Sequence, residues 1–117
     1  MSQTEQTRSF MRNYFDALNE QAVERIPIAG DCRYSGSMLA GTIRGADTVR
    51  EHIGAVAPFI DRFEILRLVA EGPSGAVIVR LQGLGGKTIE GAVFFEVEDG
   101  QLTRLDNLFD TRQLVNG

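Results

Sequence analysis

Seven polar side chains in this 117-residue chain have the types needed for acid–base chemistry without a metal: Tyr14, Tyr34, His52, Arg80, Gln82, Glu90 and Asn107. His52 is the sole histidine, and histidine is the side chain whose ordinary pKa makes it a ready proton carrier near pH 7. Glu90 is the competing base, although an Arg80 neighbour would hold it ionised and suit it better to balancing charge. Arg80 can anchor or polarise an oxygen, while the tyrosines and the amides of Gln82 and Asn107 can orient one. Asn107 lies in "GQLTRLDNLFDTR", with Asp106 and Asp110, among Leu102, Leu105, Leu108 and Phe109. A buried amide left without partners costs about 1–3 kcal/mol, so Asn107 implies a hydrogen-bonded core contact or a wet pocket. Asp110, with Thr111 and Arg112, reads as a cap or ion pair for the tail. Each candidate has a structural role in competition: Tyr14 as a packed core tyrosine, His52 as an exposed or structural histidine. No two-His-carboxylate or Cys/His spacing is present, so neither metal nor cofactor is expected. The glycines of "GLGGKT" sit in a hairpin without the helix a phosphate loop requires.

The elements that must position these residues follow from periodicity. From Ser2 to about Glu20 the apolar residues Phe10, Met11, Tyr14, Phe15 and Leu18 form one helical stripe, with Ser2 and Glu5 at capping-box spacing. A shorter helix over Ala22 to Ile26 is stopped by Pro27, and a short strand is expected from Asp31 to Ser35. "GADTVREHIGAVAPFI" carries a second stripe through Val49, His52 or Ile53, Val56 and Ile60, with Thr48 and Glu51 again at capping-box spacing. Pro58 should fray its end. Four strand patterns follow, "RFEILRLVA", "GAVIVRLQG", "KTIEGAVFFEVE" and "QLTRLDNLF", joined by short glycine-bearing turns that make antiparallel neighbours. Helices first and a meander afterwards predict one α+β domain over residues 1–117, a curved antiparallel sheet with the N-terminal helices on one face.

Strand alternation then assigns faces. Ala76, Ile78, Arg80 and Gln82 share one face, and Val77, Val79 and Leu81 the other. A symmetric glycine-rich turn sets Arg80 opposite Glu90 and Gln82 opposite Thr88, an ion pair expected inside the helix-covered face. A one-residue shift would turn Glu90 to solvent instead. On the last strand Thr103, Leu105, Asn107 and Phe109 share a face, so Arg80 and Asn107 are expected to look into one hollow. With both sheet faces largely apolar, the outer one is expected to be covered by a second copy, giving a homodimer.

Composition limits the partners. The formal net charge is −4, without a basic cluster, which argues against nucleic acid. No apolar run approaches the ~20 residues of a membrane span. The opening "MSQTEQTRSF" is polar and Cys32 is the sole cysteine, so a reducing cytoplasm is expected.

The amphipathic first helix, "GTIRGADTVREHI" leading into the second, the four strands and the ending "GQLTRLDNLFDTRQL" resemble the nuclear-transport-factor-two-like superfamily, which includes SnoaL-like domains, over nearly the whole chain. The resemblance implies a cystatin-like cone with an internal pocket, a fold that hosts unrelated chemistries. The ending looks most like limonene epoxide hydrolase. That family's Arg-x-Asp falls on "RLQ", keeping Arg80 and placing Gln82 where the first Asp belongs. Its second Asp falls on Asn107, and its Tyr-x-Asn falls on "YSG", keeping Tyr34 and placing Gly36 for Asn. Amides in place of both acids cannot take a proton from water near neutral pH, so that mechanism is not expected. Ketosteroid isomerases are a more distant template: their oxyanion-holding Tyr matches Tyr14, while their base falls on or beside Gly36 and their second acid near Ala92. The function implied is an enzyme acting on a small apolar molecule by acid–base chemistry, through isomerisation, cyclisation, dehydration or epoxide opening. A non-catalytic ligand-binding domain, or a dimerisation module with a vestigial cavity, is the alternative.

Overall fold

In a computed structural model, residues 2–37, 39–83, 85–110 and 113 are described. Helix α1 (Gln3–Asn19) begins at Ser2, whose hydroxyl oxygen accepts from the Glu5 N–H at 3.1 Å, the expected cap. Its stripe buries Phe10, Met11, Tyr14, Phe15 and Leu18, together with Thr7 and Ala17. The short helix expected at Ala22 to Ile26 is a single 3₁₀ turn over Val23–Arg25, held by Arg50, whose guanidinium donates to the carbonyls of Val23 and Ile26, each at 2.9 Å. Helix α2 (Ala46–Val56) runs into a 3₁₀ turn at Ala57–Phe59 that contains Pro58. The expected Thr48 cap does not form. The helix starts earlier, at Gly45, whose φ of 98° suits glycine, and it has no side-chain cap.

Six strands follow in space the order β2-β1-β6-β5-β4-β3: β1 (Ile28–Gly36), β2 (Ile43–Arg44), β3 (Ile60–Glu71), β4 (Ser74–Gly83), β5 (Lys87–Glu98) and β6 (Gln101–Phe109). The meander β3 to β6 is antiparallel as expected, and its last turn places Asp99 at φ 51° and Gly100 at φ 75°, the left-handed pair a two-residue hairpin needs. The sheet as a whole is mixed, because β1 reaches the meander through α2 and pairs in parallel with β6. Register shifts add a residue to β3 twice and to β6 once, at Thr103, and another interrupts the β1–β6 pair between Ile28 and Arg33. Such irregularities bend strands, and the sheet curls around α1 and α2.

The helices cover the face that carries Val77, Val79, Leu81, Ile89, Val93, Phe95 and Leu105, all buried. Each large side chain buried there contributes about 1.5–3 kcal/mol. Where α1 ends, Asn19 stands in for a strand neighbour: its amide donates to the Phe63 carbonyl at 2.9 Å and its oxygen accepts from the Phe63 N–H at 2.7 Å. Among the described residues no helix is long and apolar enough to cross a membrane.

Asn19→Leu leaves both Phe63 backbone groups without partners and is expected to cost about 2 kcal/mol in urea unfolding. A loss below about 0.5 kcal/mol would show that water replaces the amide at no cost.

Candidate functional site

Between α1, α2 and the inner face of the curled sheet lies a cavity of about 370 Å³. Its walls are mostly apolar, with Phe15, Leu18, Ile53, Phe63, Val79 and Val93 among them. Four of the expected residues line it: Tyr14, Tyr34, His52 and Asn107. Strand alternation carries two of them in, since Cys32 and Tyr34 on β1, and Leu105 and Asn107 on β6, point to the helix-covered side. Tyr14 comes from the buried stripe of α1 and His52 from the edge of α2.

The polar end is built around Tyr34. Asn107 Nδ2 donates to the Tyr34 hydroxyl oxygen at 2.6 Å, and the His52 ring packs edge-on against the Tyr34 ring with centroids 5.1 Å apart. A hydroxyl has one hydrogen to give, so a Tyr34 oxygen that accepts from Asn107 keeps its own O–H for another acceptor. Asn107 lies directly over Gly36, its in-register partner, where an added Cβ would come within 3.1 Å of the asparagine Cβ. The small residue makes room for the amide. Ser37 ties the same corner together, its hydroxyl accepting from the Phe109 N–H at 3.0 Å and its N–H donating to the Asn107 carbonyl at 3.1 Å. Gly36, Ser37 and Phe109 line the cavity without having been singled out for a role. Only the glycine gave a sign, as a strand residue without a side chain.

Burial raises the pKa of Tyr34, with the Asn107 hydrogen bond pulling the other way. Tyr14 is raised well above the ordinary tyrosine value by burial first, then by Tyr34 and Cys32. Both hydroxyls are therefore protonated donors at neutral pH. Among the described residues no carboxylate or cation lines this cavity.

Arg80, Gln82 and Glu90 are not in it. The predicted register is present, with Arg80 opposite Glu90 and Gln82 opposite Thr88, and the ion pair forms at 3.0 Å, joined by Glu64 at 3.4 Å. It forms on the opposite face. Arg80 and Glu90 side chains are 36% and 50% exposed, while Val79 and Leu81 take the inward positions. Taking an ion pair out of water costs several kcal/mol per charge, whereas burying valine and leucine gains, so parity goes to the apolar set. Arg80 and Asn107 consequently face away from one another. The epoxide hydrolase correspondence loses Arg80 and Gln82, and apolar Val79 and Leu81 stand inward beside those positions. Asp106 is also outward, hydrogen-bonded by Ser35 and paired with Arg104 at 3.0 Å. Thr111 and Arg112 lie outside the described residues. Among the described residues no cluster of three or more His, Cys, Asp or Glu could hold a metal ion. A second groove, of about 620 Å³, runs beside α1 past Asn13, Asp16, Glu20 and Arg25. Of the candidate residues it holds only Tyr14.

Residues 11–105 match the family model of the SnoaL-like domain. No curated protein matches the chain significantly. Among solved structures, a ketosteroid isomerase candidate from Kribbella flavida DSM 17836 is 36% identical over 94% of this chain and 82% of its own, with a TM-score of 0.78. An NTF2-like protein of unknown function from Mesorhizobium loti superposes with a TM-score of 0.83 at 20% identity, covering 94% of this chain and 95% of that one. An LEH-like epoxide hydrolase from M. tuberculosis superposes at 0.77 with 20% identity, covering 97% and 89%. The last two show the shared fold alone.

The raised groups make stability pH-dependent. Cys32, fully buried, is pushed from 9.0 to about 11 by burial and by Asp31. A thiol that ionises more readily unfolded than folded leaves stability intact below pH 9 and erodes it as pH rises toward about 11, by roughly 2–3 kcal/mol. Tyr14 and Tyr34 add to the loss above pH 10. Denaturant titrations of Cys32→Ala are expected to lose the slope between pH 9 and 10, where the thiol alone acts. A slope equal to that of the wild type would refute the assignment.

Proposed function

Because the chain belongs to the SnoaL-like domain family, we propose that its cavity receives a small, mostly apolar, uncharged molecule bearing an oxygen and that the protein acts on it by acid–base chemistry without a cofactor. The observation that carries this reading is the Tyr34–Asn107 hydrogen bond beside His52, set in a cavity otherwise walled by apolar side chains. Apolar walls supply affinity by removing the ligand's surface from water, and the few polar atoms fix its orientation. A substrate oxygen would accept from Tyr34, and from Tyr14 if it reaches deeper, so that negative charge developing on it meets donors already in place. His52, which lines the cavity with its ring against Tyr34, takes the role of base. Among the described residues no carboxylate, lysine or arginine lines the cavity, which disfavours carboxylate and phosphate substrates, since they would be desolvated without a counter-ion. Isomerisation through an enolate, of the kind named for the Kribbella flavida relative, fits these groups better than epoxide opening by paired acids, since no acid lines the cavity among the described residues. That same lack of a carboxylate favours a second reading, a domain that binds the ligand and moves no proton.

The domain is further proposed to be a cytoplasmic homodimer, joined through the outer sheet face. Ile78, Phe94, Leu108 and Val69 are 39%, 45%, 55% and 59% exposed there, a large apolar surface for a chain working alone.

Cyclic enones and terpene epoxides serve as probes. Tyr34→Phe and Asn107→Leu are expected to weaken binding about tenfold, the value of one hydrogen bond, in calorimetry or thermal-shift titration. His52→Ala is expected to retain binding and to lower turnover at least about a hundredfold. Binding without turnover, indifferent to His52, selects the second reading, and failure of every probe to bind removes both. In sedimentation the wild type is expected to dimerise and Phe94→Lys to be monomeric. A wild type that stays monomeric at high concentration would refute the dimer.

A further inference from the structure

We propose that Phe109 sets how bulky a ligand the cavity admits opposite the ligand's oxygen, and that its ring has its place because Gly91 has no side chain. This rests on the use of the cavity proposed above and adds which part of the molecule is selected. Gly91 and Phe109 stand directly opposite each other on β5 and β6. Both have the inward parity, since Ile89 and Val93 on either side of Gly91 are buried and Asn107, two residues before Phe109, lines the cavity. Ile89, Val93 and Phe109 all line the cavity, whereas Gly91 between them does not. The ring covers it. A Cβ built at Gly91 would collide with Phe109 Cδ1 and stand 2.6 Å from both Phe109 Cε1 and the Leu108 carbonyl oxygen. The aromatic ring thus lies against the β5 backbone, in space that any residue other than glycine would need.

The backbone that carries the ring is tied down as well. The Phe109 N–H donates to the Ser37 hydroxyl oxygen at 3.0 Å, which fastens it to the chain leaving β1, and the half-buried ring packs against the core. Along β6 the two residues from Asn107 to Phe109 span about 6–7 Å. A ligand oxygen held at the Tyr34–Asn107 hydrogen bond therefore leaves the far side of the ligand's skeleton against the Phe109 ring. On a six-membered ring that far side is the substituent opposite the oxygen, and the wild-type cavity is selective for ligands with nothing bulky there. A ring laid over a strand glycine also stabilises a sheet by itself. The two roles separate in what they change: a structural role alters the binding of every ligand alike, whereas a selective one alters the order in which ligands are preferred.

Cyclohex-2-enone and its 4-phenyl derivative, titrated by calorimetry into the full chain, test the selectivity. The wild type is expected to favour the unsubstituted enone. Phe109→Ala is expected to move the ratio of the two dissociation constants at least about tenfold toward the phenyl compound, whose own ring takes the emptied place on Gly91; a single methylene of pocket space already discriminates by about tenfold or more. NMR reads the place directly. The Gly91 α-protons are expected upfield in the wild type, under the ring current of Phe109, at ordinary positions in Phe109→Ala, and upfield again once the phenyl enone is added to that variant. Circular dichroism checks folding, and Phe109→Leu, which removes the ring but keeps an apolar cover on Gly91, replaces an alanine variant that does not fold, with the same direction of change expected. If the wild type binds cyclohexenone and the ratio does not move, the selective role is overturned while the proposed use of the cavity stands. Gly91 protons without an upfield shift in the wild type refute the ring's place. Failure of both enones to bind either form also overturns the selective role, and the same failure extended to the epoxides overturns the proposed use of the cavity.

Discussion

Everything in this molecule follows from which alternate set of residues on β4, β5 and β6 turns toward α1 and α2. The choice is made by burial. Val77, Val79 and Leu81 on β4, Ile89, Val93 and Phe95 on β5, and Leu105 on β6 lose nearly all contact with water beneath Met11, Tyr14, Phe15 and Leu18. The competing set would put the Arg80–Glu90 pair in the same place, and the cost of dehydrating two charges exceeds what their attraction returns in a low-dielectric core. Once that parity is fixed, every outward residue on the three strands is fixed as well, because neighbouring strands share a pleat.

The cavity follows from the same choice combined with curvature. The bulges in β3 help curl the sheet around the helices, and the apolar layer that is closed near Met11 and Phe95 gives way to a cavity between α2 and the ends of β1 and β6. In that opening the inward positions are no longer all apolar. Tyr34 and Asn107 occupy them, next to each other across the parallel β1–β6 pair, joined by the hydrogen bond from the asparagine amide to the tyrosine oxygen. Placing Asn107 over Gly36 removes the steric conflict that a larger residue would create. Among the described residues no fully buried side-chain nitrogen or oxygen lacks a partner, so the sheltered pair is held in one orientation while the Tyr34 O–H remains for an acceptor.

Much of the architecture was legible in the sequence, and the part that was not has a common cause. The four meander strands, the Ser2 cap, the α1 stripe and the Arg80–Glu90 register are local: spacing, turn residues and loop symmetry determine them. The face of the sheet on which Arg80 would lie was not local. Residues 76–82 are largely apolar on both sides, so alternation alone leaves the side open, and it is desolvation that sends the polar pair outward. The inward face of Asn107 is legible because Leu105 and Phe109 flank it at the same parity, although its partner Tyr34 lies 73 positions away. Asn19 gave no sign at all. Its role depends on where β3 passes the end of α1, which no spacing within either segment encodes. The α2 cap failed for a related reason: Thr48 has the right distance from Glu51, but the chain enters from the Gly45 turn and starts the helix earlier.

One residue of parity also separates this chain from chemistry that motif matching would assign to it. "RLQ" reads as a degraded Arg-x-Asp, and restoring the acid at Gln82 looks like repair. In the folded sheet, position 82 shares the outer face with Arg80, and a carboxylate there would be on the wrong side of the sheet from the cavity. Motif spacing is conserved under such a flip, because period two maps each face onto an equally regular pattern. A catalytic assignment on a β-strand therefore needs the burial of the intervening residues as much as the identity of the matching ones. Here that requirement leaves two buried tyrosines, an amide and one histidine in contact with the cavity. Two of these arrive on strands and two on helices, so proton transfer in this pocket would couple the sheet to its helical cover, and a change in how α2 sits on β1 would alter His52 against Tyr34 before it altered anything in the sheet.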